Sequence, residues 1–265
     1  WLTGGVTIAG FSTSMLVLDK LWYEGYPRTN FHFKDDWGEW YHLDKLGHST
    51  TSYHLGRMGY QAWKWAGVRE PVAVWLGGSM GSLFLTTVEI LDGFSAQWGA
   101  SPSDLGANTL GSALFISQQL LWNEQKILLK MSSRPSPLAQ YRPSLLGKNY
   151  SERLLKDYNG LTFWLSCPVS NVFKECPEWL AFSVGYGADG MLGAYQNPSI
   201  VGDVVMPSMQ RTRSFYLSAD ICYSKIHYQS DFLNQLFFVM DFIKCPAPAL
   251  EINSRGQIIW HWVFF

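Results

Sequence analysis

Six polar residues beside otherwise apolar segments are the strongest candidates for chemistry in this sequence. Asp44 and His48 lie four positions apart, and Asp104 and Asn108 have the same spacing, so each pair occupies one face of a helix. A carboxylate in apolar surroundings is strongly disfavoured unless it finds an opposite charge, a hydrogen bond or a metal ion. We therefore expect these side chains to converge on one polar site. The six are Asp44, His48, Glu89, Asp92, Asp104 and Asn108.

Three kinds of site are consistent with this set. Carboxylates with one imidazole suit a divalent metal ion, the one cofactor that the sequence predicts. The predicted metal ligands are Asp44, His48, Glu89, Asp92 and Asp104. Alternatively, His48 acts as a base that Asp44 orients, with Glu89 as a general acid. The third alternative is a structural hydrogen-bonded network that holds the helices together and includes Asn108 and Ser95.

The first half of the chain contains the segments that would position these residues. The runs over residues 71–88 and 105–123 carry no charge, and each is long enough for a buried helix or a membrane span. Small residues recur in both runs, which indicates that helix backbones approach closely. The predicted helices cover residues 1–18, 43–66, 70–91 and 101–129.

The second half has a different pattern. Aromatic and β-branched residues replace the helical period, and the stretch SFYLSADICYS alternates as a one-sided strand does. Strands are predicted at residues 161–165, 181–186, 213–222, 249–252 and 257–265, and a helix at 231–243. The predicted fold is α+β: a bundle of about four apolar, glycine-rich helices, then a mixed region with a short antiparallel sheet. The expected divisions are a helical bundle over 1–130, a linker over 131–160 and a strand-rich region over 161–265.

Composition favours an apolar environment for the protein. Aromatic residues make up 16% of the chain and charged residues only 15%, against roughly 25% charged residues in a typical soluble domain. Trp and Tyr in this abundance suit a membrane–water interface or an extensive contact with partner proteins. The formal net charge of −1 and the lack of a basic stretch exclude electrostatic capture of nucleic acid.

The four cysteines contain no C-x-x-C pair, which argues against a zinc knuckle or a redox dithiol. One or two disulfides and four buried thiols are both consistent with their spacing. They are Cys167, Cys176, Cys222 and Cys245.

Two segments of the chain carry a family resemblance. DKLGHSTTSYHLG and VEILDGFSAQWGASPSDLGANTLGSALF resemble the YfiM-like group of predicted envelope lipoproteins. More distantly, they are similar to VanZ-like membrane proteins, which share a D-K-x-x-H start, an acidic helix end and a D-x-x-A-N-x-x-G helix. The resemblance covers about residues 19–130 and implies an envelope location rather than a particular chemistry. The matching positions are Asp44, His48, Glu89, Asp104, Asn108 and Gly111.

Together these features predict a non-enzymatic component of the cell envelope with a buried polar or metal-binding site. The expected role is an accessory subunit of an outer-membrane protein assembly, in contact with the lipid bilayer. The expected address is the Gram-negative outer membrane, facing the periplasm, with the inner membrane as the alternative. A metal-dependent hydrolase acting on an envelope lipid or glycan is the alternative function.

Overall fold

The uncharged segments of the first half form helices, as their length and composition predict. The protein was analysed as a computed structural model, which describes residues 2–18 and 26–265. The described helices of the first half are α1 (Leu2–Leu18), α2 (Leu43–Trp65), α3 (Glu70–Gly78), α4 (Met80–Gly93) and α5 (Pro102–Trp122).

The prediction of a bundle of about four helices is wrong. The helix expected over residues 70–91 is two helices, because a turn at Ser79 separates α3 from α4. The helix expected to continue to residue 129 ends at Trp122, since Asn123 adopts the left-handed conformation, with φ of 54°, that closes a helix. The residues that follow enter the sheet instead of extending a bundle.

The stretch Glu70–Gly93, which contains α3 and α4, is long and apolar enough to cross a membrane by length and composition, although a third of its most apolar part is buried in the protein. Among the described residues it is the one stretch that meets this criterion. Its exposed apolar side chains follow a helical spacing and include Val72, Trp75, Leu83 and Ile90.

A large antiparallel sheet forms most of the second half. Six strands pair in the order β1-β2-β3-β6-β7-β8, and β4 with β5 forms a separate two-stranded sheet. The strands are β1 (Leu128–Ser133), β2 (Leu161–Pro168), β3 (Leu180–Asp189), β4 (Ile200–Val201), β5 (Val204–Val205), β6 (Thr212–Ile221), β7 (Ala247–Asn253) and β8 (Ile258–Phe264). The remaining helices are α6 (Pro143–Leu146), α7 (Tyr150–Lys156) and α8 (Asp231–Met240).

The prediction of a short sheet is also wrong. β3 and β6 are ten residues long and pair along their whole length. β1 was missed because the sequence LLKMSS has a lysine at its centre and directly follows a helical segment. The hairpin between β7 and β8 turns at residues 253–256, where Gly256 adopts a φ of 75°.

The described chain divides into two compact units. The helical unit comprises Trp1–Trp37 and Lys45–Gln125, and the β unit comprises Gly38–Asp44 and Lys126–Phe265. Residues 131–133, at the start of the expected linker, belong to β1, and residues 134–160 contain α6 and α7. The core of the β unit contains Trp164, Tyr216, Ala249 and Phe264, which pack as one cluster.

Candidate functional site

A polar cluster in the helical unit is built on α2, α4 and α5. Lys45 and His48 lie three positions apart on α2 and therefore share a face of that helix. Glu89 lies near the end of α4 and is 2% exposed. Ser101 caps α5, because its Oγ accepts a hydrogen bond from the backbone N–H of Asp104 at 3.0 Å. This cap places the first turn of α5, and Asp104 with it, inside the protein.

A seam of small residues holds α2 against α5. The Oγ of Ser49 donates to the carbonyl of Ala107 at 3.0 Å, and the Oγ of Ser52 donates to the carbonyl of Asn108 at 2.6 Å. A Cβ atom at Gly111 would lie 2.1 Å from the carbonyl oxygen of Ser49, so only glycine fits there. Because the two helices approach closely here, His48, which precedes Ser49 on α2, lies opposite Asn108 on α5.

Lys45 joins two buried carboxylates at one side of the cluster. Its Nζ lies 2.7 Å from Asp36 Oδ1 and 2.9 Å from Asp104 Oδ1. The same Asp36 oxygen accepts hydrogen bonds from the hydroxyls of Ser101, at 2.5 Å, and Ser103, at 2.7 Å. Burial by itself would raise the pKa of Asp36, but the hydrogen bonds from Lys45 and the two serines lower it to about 2. Asp36 is therefore a carboxylate at every physiological pH.

His48 faces the other side of the cluster. Its Nδ1 lies 2.9 Å from the side-chain oxygen of Asn108, which fixes the orientation of the ring. Its Nε2 lies 3.9 Å from Glu89 Oε1 and 3.9 Å from Asp104 Oδ1. These distances are too long for hydrogen bonds, so the two carboxylates face His48 at ion-pair distance without a direct hydrogen bond. The His48 side chain keeps 19% of its surface exposed, so the ring is reachable from outside.

Glu89 is the least solvated acid of the cluster. Its Oε2 accepts a hydrogen bond from the backbone N–H of Ser101 at 2.9 Å. Burial raises the pKa of Glu89 to about 8; His48 and the Ser101 hydrogen bond oppose this rise, whereas the negative charges of Asp104 and Asp92 add to it. Without a compensating cation, this carboxyl is therefore mostly protonated at neutral pH.

The elevated pKa of Glu89 predicts the pH dependence of stability. In the unfolded chain Glu89 ionises near its ordinary value of 4.5, whereas the folded protein keeps the proton up to about 8. The folded state thus binds the extra proton between these values, and stability falls as pH rises through this window, by at most about 1.4 kcal/mol per pH unit. We expect thermal unfolding of the EDTA-treated protein to show this decline.

Two variants control this measurement. Glu89→Gln is expected to flatten the slope between about pH 5 and about pH 8, because the amide has no proton to lose. Glu175→Gln, which changes an exposed residue, is expected to retain the full slope. An unchanged slope in Glu89→Gln would show that other groups cause the decline, and His48, Asp104 and Asp92 are the titratable neighbours that Glu89 faces.

The structure brings four of the sequence-predicted residues into this cluster: His48, Glu89, Asp104 and Asn108. Asp92 is half-buried and acts on Glu89 through its charge. Ser95 is buried in the loop after α4, where its Oγ accepts a hydrogen bond from the backbone N–H of Gln97 at 3.3 Å. Asp44 belongs to the β unit, and its Oδ1 accepts a hydrogen bond from the hydroxyl of Tyr158 at 2.6 Å.

Four further members of the cluster were not predicted. Asp36 lies in a connecting segment that is rich in aromatic residues and has no periodic hydrophobic pattern. No sequence signal therefore placed it near a helix. Lys45 lies inside the DKLGH stretch, but a lysine next to an aspartate is usually solvated. A serine directly before Pro102 is typical of a helix N-cap, but the contact of Ser101 with a distant carboxylate leaves no local signal. The four are Asp36, Lys45, Ser101 and Ser103.

The β unit has polar groups of its own, beneath the sheet. Lys130 Nζ lies 3.2 Å from Asp220 Oδ2, and neither side chain is exposed. Ser214 Oγ donates to Glu251 Oε1 at 2.7 Å, and His261 Nε2 lies 2.8 Å from Glu251 Oε2. Here the carboxylate lies between the hydroxyl and the imidazole, so His261 does not contact the hydroxyl it would have to activate as a base. We therefore regard these contacts as structural.

The four cysteines are free thiols. Cys222 is buried, and Cys167, Cys176 and Cys245 are partly exposed.

Comparisons of this chain with protein-family models, with curated proteins and with solved structures found no match. The resemblance to YfiM-like and VanZ-like proteins thus stays a hypothesis that rests on the quoted motifs.

Proposed function

We propose that this chain is a non-enzymatic, membrane-bound component of the cell envelope, whose β unit rests the apolar face of its sheet on lipid acyl chains. The observation that carries the proposal is the distribution of polarity across the sheet. The outer face is apolar and exposed, whereas buried charges lie on the inner face. A water-soluble antiparallel sheet has the opposite arrangement, with its polar face in water.

The outer face is apolar across the full width of the sheet. One row of neighbouring residues crosses all six strands: Leu129, Leu165, Val184, Leu217, Leu250 and Trp260. The adjacent row is Met131, Phe163, Tyr186, Phe215, Ile252 and Ile258. Most of these side chains are well exposed in the protein alone, and Phe215 is 55% and Ile258 is 70% exposed. The polar side-chain groups in the two rows are the Trp260 indole N–H and the Tyr186 hydroxyl, which donates to the carbonyl of Tyr41 at 2.8 Å.

The inner face carries the groups that would normally be in water. Ser166, Ser183 and Ser218 lie side by side on three neighbouring strands, and all are buried. Lys130 and Lys244 lie on either side of Asp220, with no exposed side-chain surface on any of the three. A sheet that buries its charges and exposes its apolar face is unfavourable in water. The cost of the exposed face is avoided only if that face is itself removed from water.

Lipid fits this surface better than a protein partner does. Protein interfaces include about one hydrogen bond per 100–200 Å² and a polar rim, whereas the two rows offer only the Trp260 indole N–H beside the occupied Tyr186 hydroxyl. α8 adds a second exposed apolar stripe at helical spacing, formed by Phe232, Leu236 and Val239. Acyl chains need no hydrogen-bond partner, so a face with so few polar atoms suits them.

Flotation with neutral phosphatidylcholine vesicles tests this proposal. We expect the protein to float with the vesicles even in about 1 M salt, where a Debye length of ~3 Å removes electrostatic attraction. Leu217→Lys is expected to weaken partitioning about 100-fold, because a lysine in the hydrocarbon region costs about 2.5–3.5 kcal/mol. The matched control is Leu155→Lys on α7, whose neighbours Glu152, Arg153 and Lys156 are polar; it is expected to float as the wild type does.

A protein that stays soluble without detergent, as a monomer or as a stable oligomer, would contradict the proposal. The oligomer would show that protein covers the sheet face. The Gram-negative outer membrane is the address that we propose from the YfiM-like motifs, with the inner membrane as the alternative. Fractionation of the native host's envelope would distinguish the two.

Metal-dependent hydrolysis of an envelope lipid or glycan is the second candidate function. The observation in its favour is that His48 Nε2 lies 3.9 Å from a carboxylate oxygen of Glu89 and from one of Asp104, because imidazole and carboxylate groups are ligands that can hold a Lewis acid. This function requires a bound metal ion, so a protein that binds none would exclude it.

A further inference from the structure

We propose that Arg211 and Arg213, which both contact the ring of Tyr41, bind the phosphate of an anionic lipid headgroup at one end of the sheet. This inference rests on the proposed function, since it takes the outer face of the sheet to lie on lipid, and it names the headgroup that this surface selects. Arg211 directly precedes β6, and Arg213 is the second residue of that strand. Their guanidinium carbons lie 4.5 Å and 4.2 Å from the centre of the Tyr41 ring, so two positive charges are held close together.

Arg211 has hydrogen-bond donors that no described residue satisfies. Its Nη2 donates to the carbonyl of Ala194 at 2.7 Å, whereas its Nε and Nη1 are buried and have no acceptor in the described part of the chain. A guanidinium is always charged and carries five N–H donors, so burying it with so few acceptors is unfavourable. Phosphate oxygens supply both the acceptors and the negative charge that are missing.

The positive charge at this end of the sheet is not balanced by acidic residues. Arg255, in the turn between β7 and β8, donates to a hydroxyl and a backbone carbonyl at the start of β6, and not to a carboxylate. Among the residues that the structure describes, none of Arg211, Arg213 and Arg255 forms an ion pair. Asp189, at the end of β3 that pairs with the start of β6, lies 3.7 Å from Arg134 instead. Such an excess of arginine over carboxylate attracts an anion.

The position of Arg213 matches the depth of a lipid phosphate. It is exposed on the same face of β6 as Phe215 and Leu217. It precedes Phe215 by two residues, about 7 Å along a strand, so it lies directly beyond the apolar rows that contact acyl chains. Tyr186, a member of one row, donates its hydroxyl to the carbonyl of Tyr41, which fixes Tyr41 at the same border. An arginine at this border can lay its stem on apolar surface while its charged head reaches the phosphate, and this continuity favours a lipid over a soluble anion.

Flotation of the full chain with two kinds of vesicle tests this site. At low salt we expect vesicles that contain phosphatidylglycerol to bind the protein about 10–100-fold more tightly than neutral phosphatidylcholine vesicles, as two arginines near an anionic surface would cause. This preference is expected to disappear in about 1 M salt, where binding through the apolar face persists. A protein that floats equally well with both kinds of vesicle at low salt would overturn this inference alone. A protein that floats with neither would contradict the membrane proposal as well.

Four variants assign the preference to particular residues. Arg211→Gln and Arg213→Gln are expected to lose most of it and still to float with neutral vesicles, whereas Arg213→Lys, which keeps the charge but not the planar fork, should retain part of it. Lys174→Gln is the matched control, because it removes one exposed positive charge from the loop between β2 and β3, at the opposite end of the sheet. Equal losses in Arg213→Gln and Lys174→Gln would show a general attraction by net charge and would overturn the site.

Inorganic phosphate distinguishes a lipid headgroup from a soluble anion. Calorimetric titration of the detergent-solubilised full chain with phosphate, at constant ionic strength, is expected to show no stoichiometric binding, because a free phosphate gains nothing from the neighbouring apolar face. Stoichiometric binding that Arg213→Gln abolishes, in a protein without any preference for phosphatidylglycerol, would assign these arginines to a soluble phosphate and overturn the lipid headgroup.

Discussion

Lys45→Met is expected to destabilise the helical unit by about 3–5 kcal/mol, because it leaves buried carboxylates without their cation. The lysine is 6% exposed and lies within 3 Å of both Asp36 and Asp104. Methionine has nearly the same length and fills the same space, so the loss reports the charge and not a cavity. Denaturant unfolding of the detergent-solubilised protein measures it.

Lys64→Met is the matched control for this prediction. Lys64 lies on the same helix and forms an ion pair with Glu70, but it is 38% exposed. Removing a solvated pair of this kind is expected to cost at most about 1 kcal/mol. In the double variant Lys45→Met/Asp36→Asn, part of the stability lost in Lys45→Met should return, since one unpaired charge is also removed. Equal losses for Lys45→Met and Lys64→Met would show that the buried pair contributes no more than a surface contact.

The helical period explains how much of the site the sequence predicts. His48 on α2, and Asp104 and Asn108 on α5, lie on definite faces, because a spacing of three or four residues fixes their direction. Glycines at the crossing then determine which faces meet. Asp36 has no such constraint, because it lies in an irregular connector whose path depends on the rest of the fold. Lys45 was visible in the motif, but only the structure shows that it points inwards.

For the sheet, the sequence predicts the alternation of faces but not which face is buried. β6 alternates strictly between buried and exposed residues, and its sequence predicts a one-sided strand. The sequence does not tell which side is buried, and the natural assumption is that Phe215 and Leu217 point inwards. The structure buries Ser214, Ser218 and Asp220 instead. The period of a strand therefore predicts two faces, while the surroundings of the protein decide which one is covered.

Two errors in the predicted fold have one physical origin. The predicted helix over residues 101–129 was extended too far because LLK continues the apolar, helix-compatible composition, and the same residues were then missing from the predicted sheet. Lys130 is tolerated in β1 because it reaches Asp220 and the carbonyl of Ile221. A residue whose partner is 90 positions away leaves no local signal. Tertiary contacts thus override local propensity here.

Gly111→Ala is expected to destabilise the protein by about 3 kcal/mol, although it changes a single hydrogen to a methyl group. The new Cβ would lie 2.1 Å from the carbonyl oxygen of Ser49, and backbone atoms cannot rotate away as a flexible side chain can. α2 and α5 must separate to relieve the clash. Because His48 precedes Ser49, the separation also moves its ring away from Asn108.

Gly106→Ala gives the matched comparison on the same helix. No atom lies within 4 Å of a Cβ built there, and alanine is a better helix former than glycine. We therefore expect Gly106→Ala to stabilise the protein by about 0.5–1 kcal/mol. The same glycine-to-alanine change is thus expected to have opposite effects at two positions of α5 that are five residues apart. Thermal unfolding of the two variants side by side measures the difference. If both variants are equally stable, α2 and α5 are not in close contact at Gly111, and the geometry that brings His48 to Asn108 is wrong.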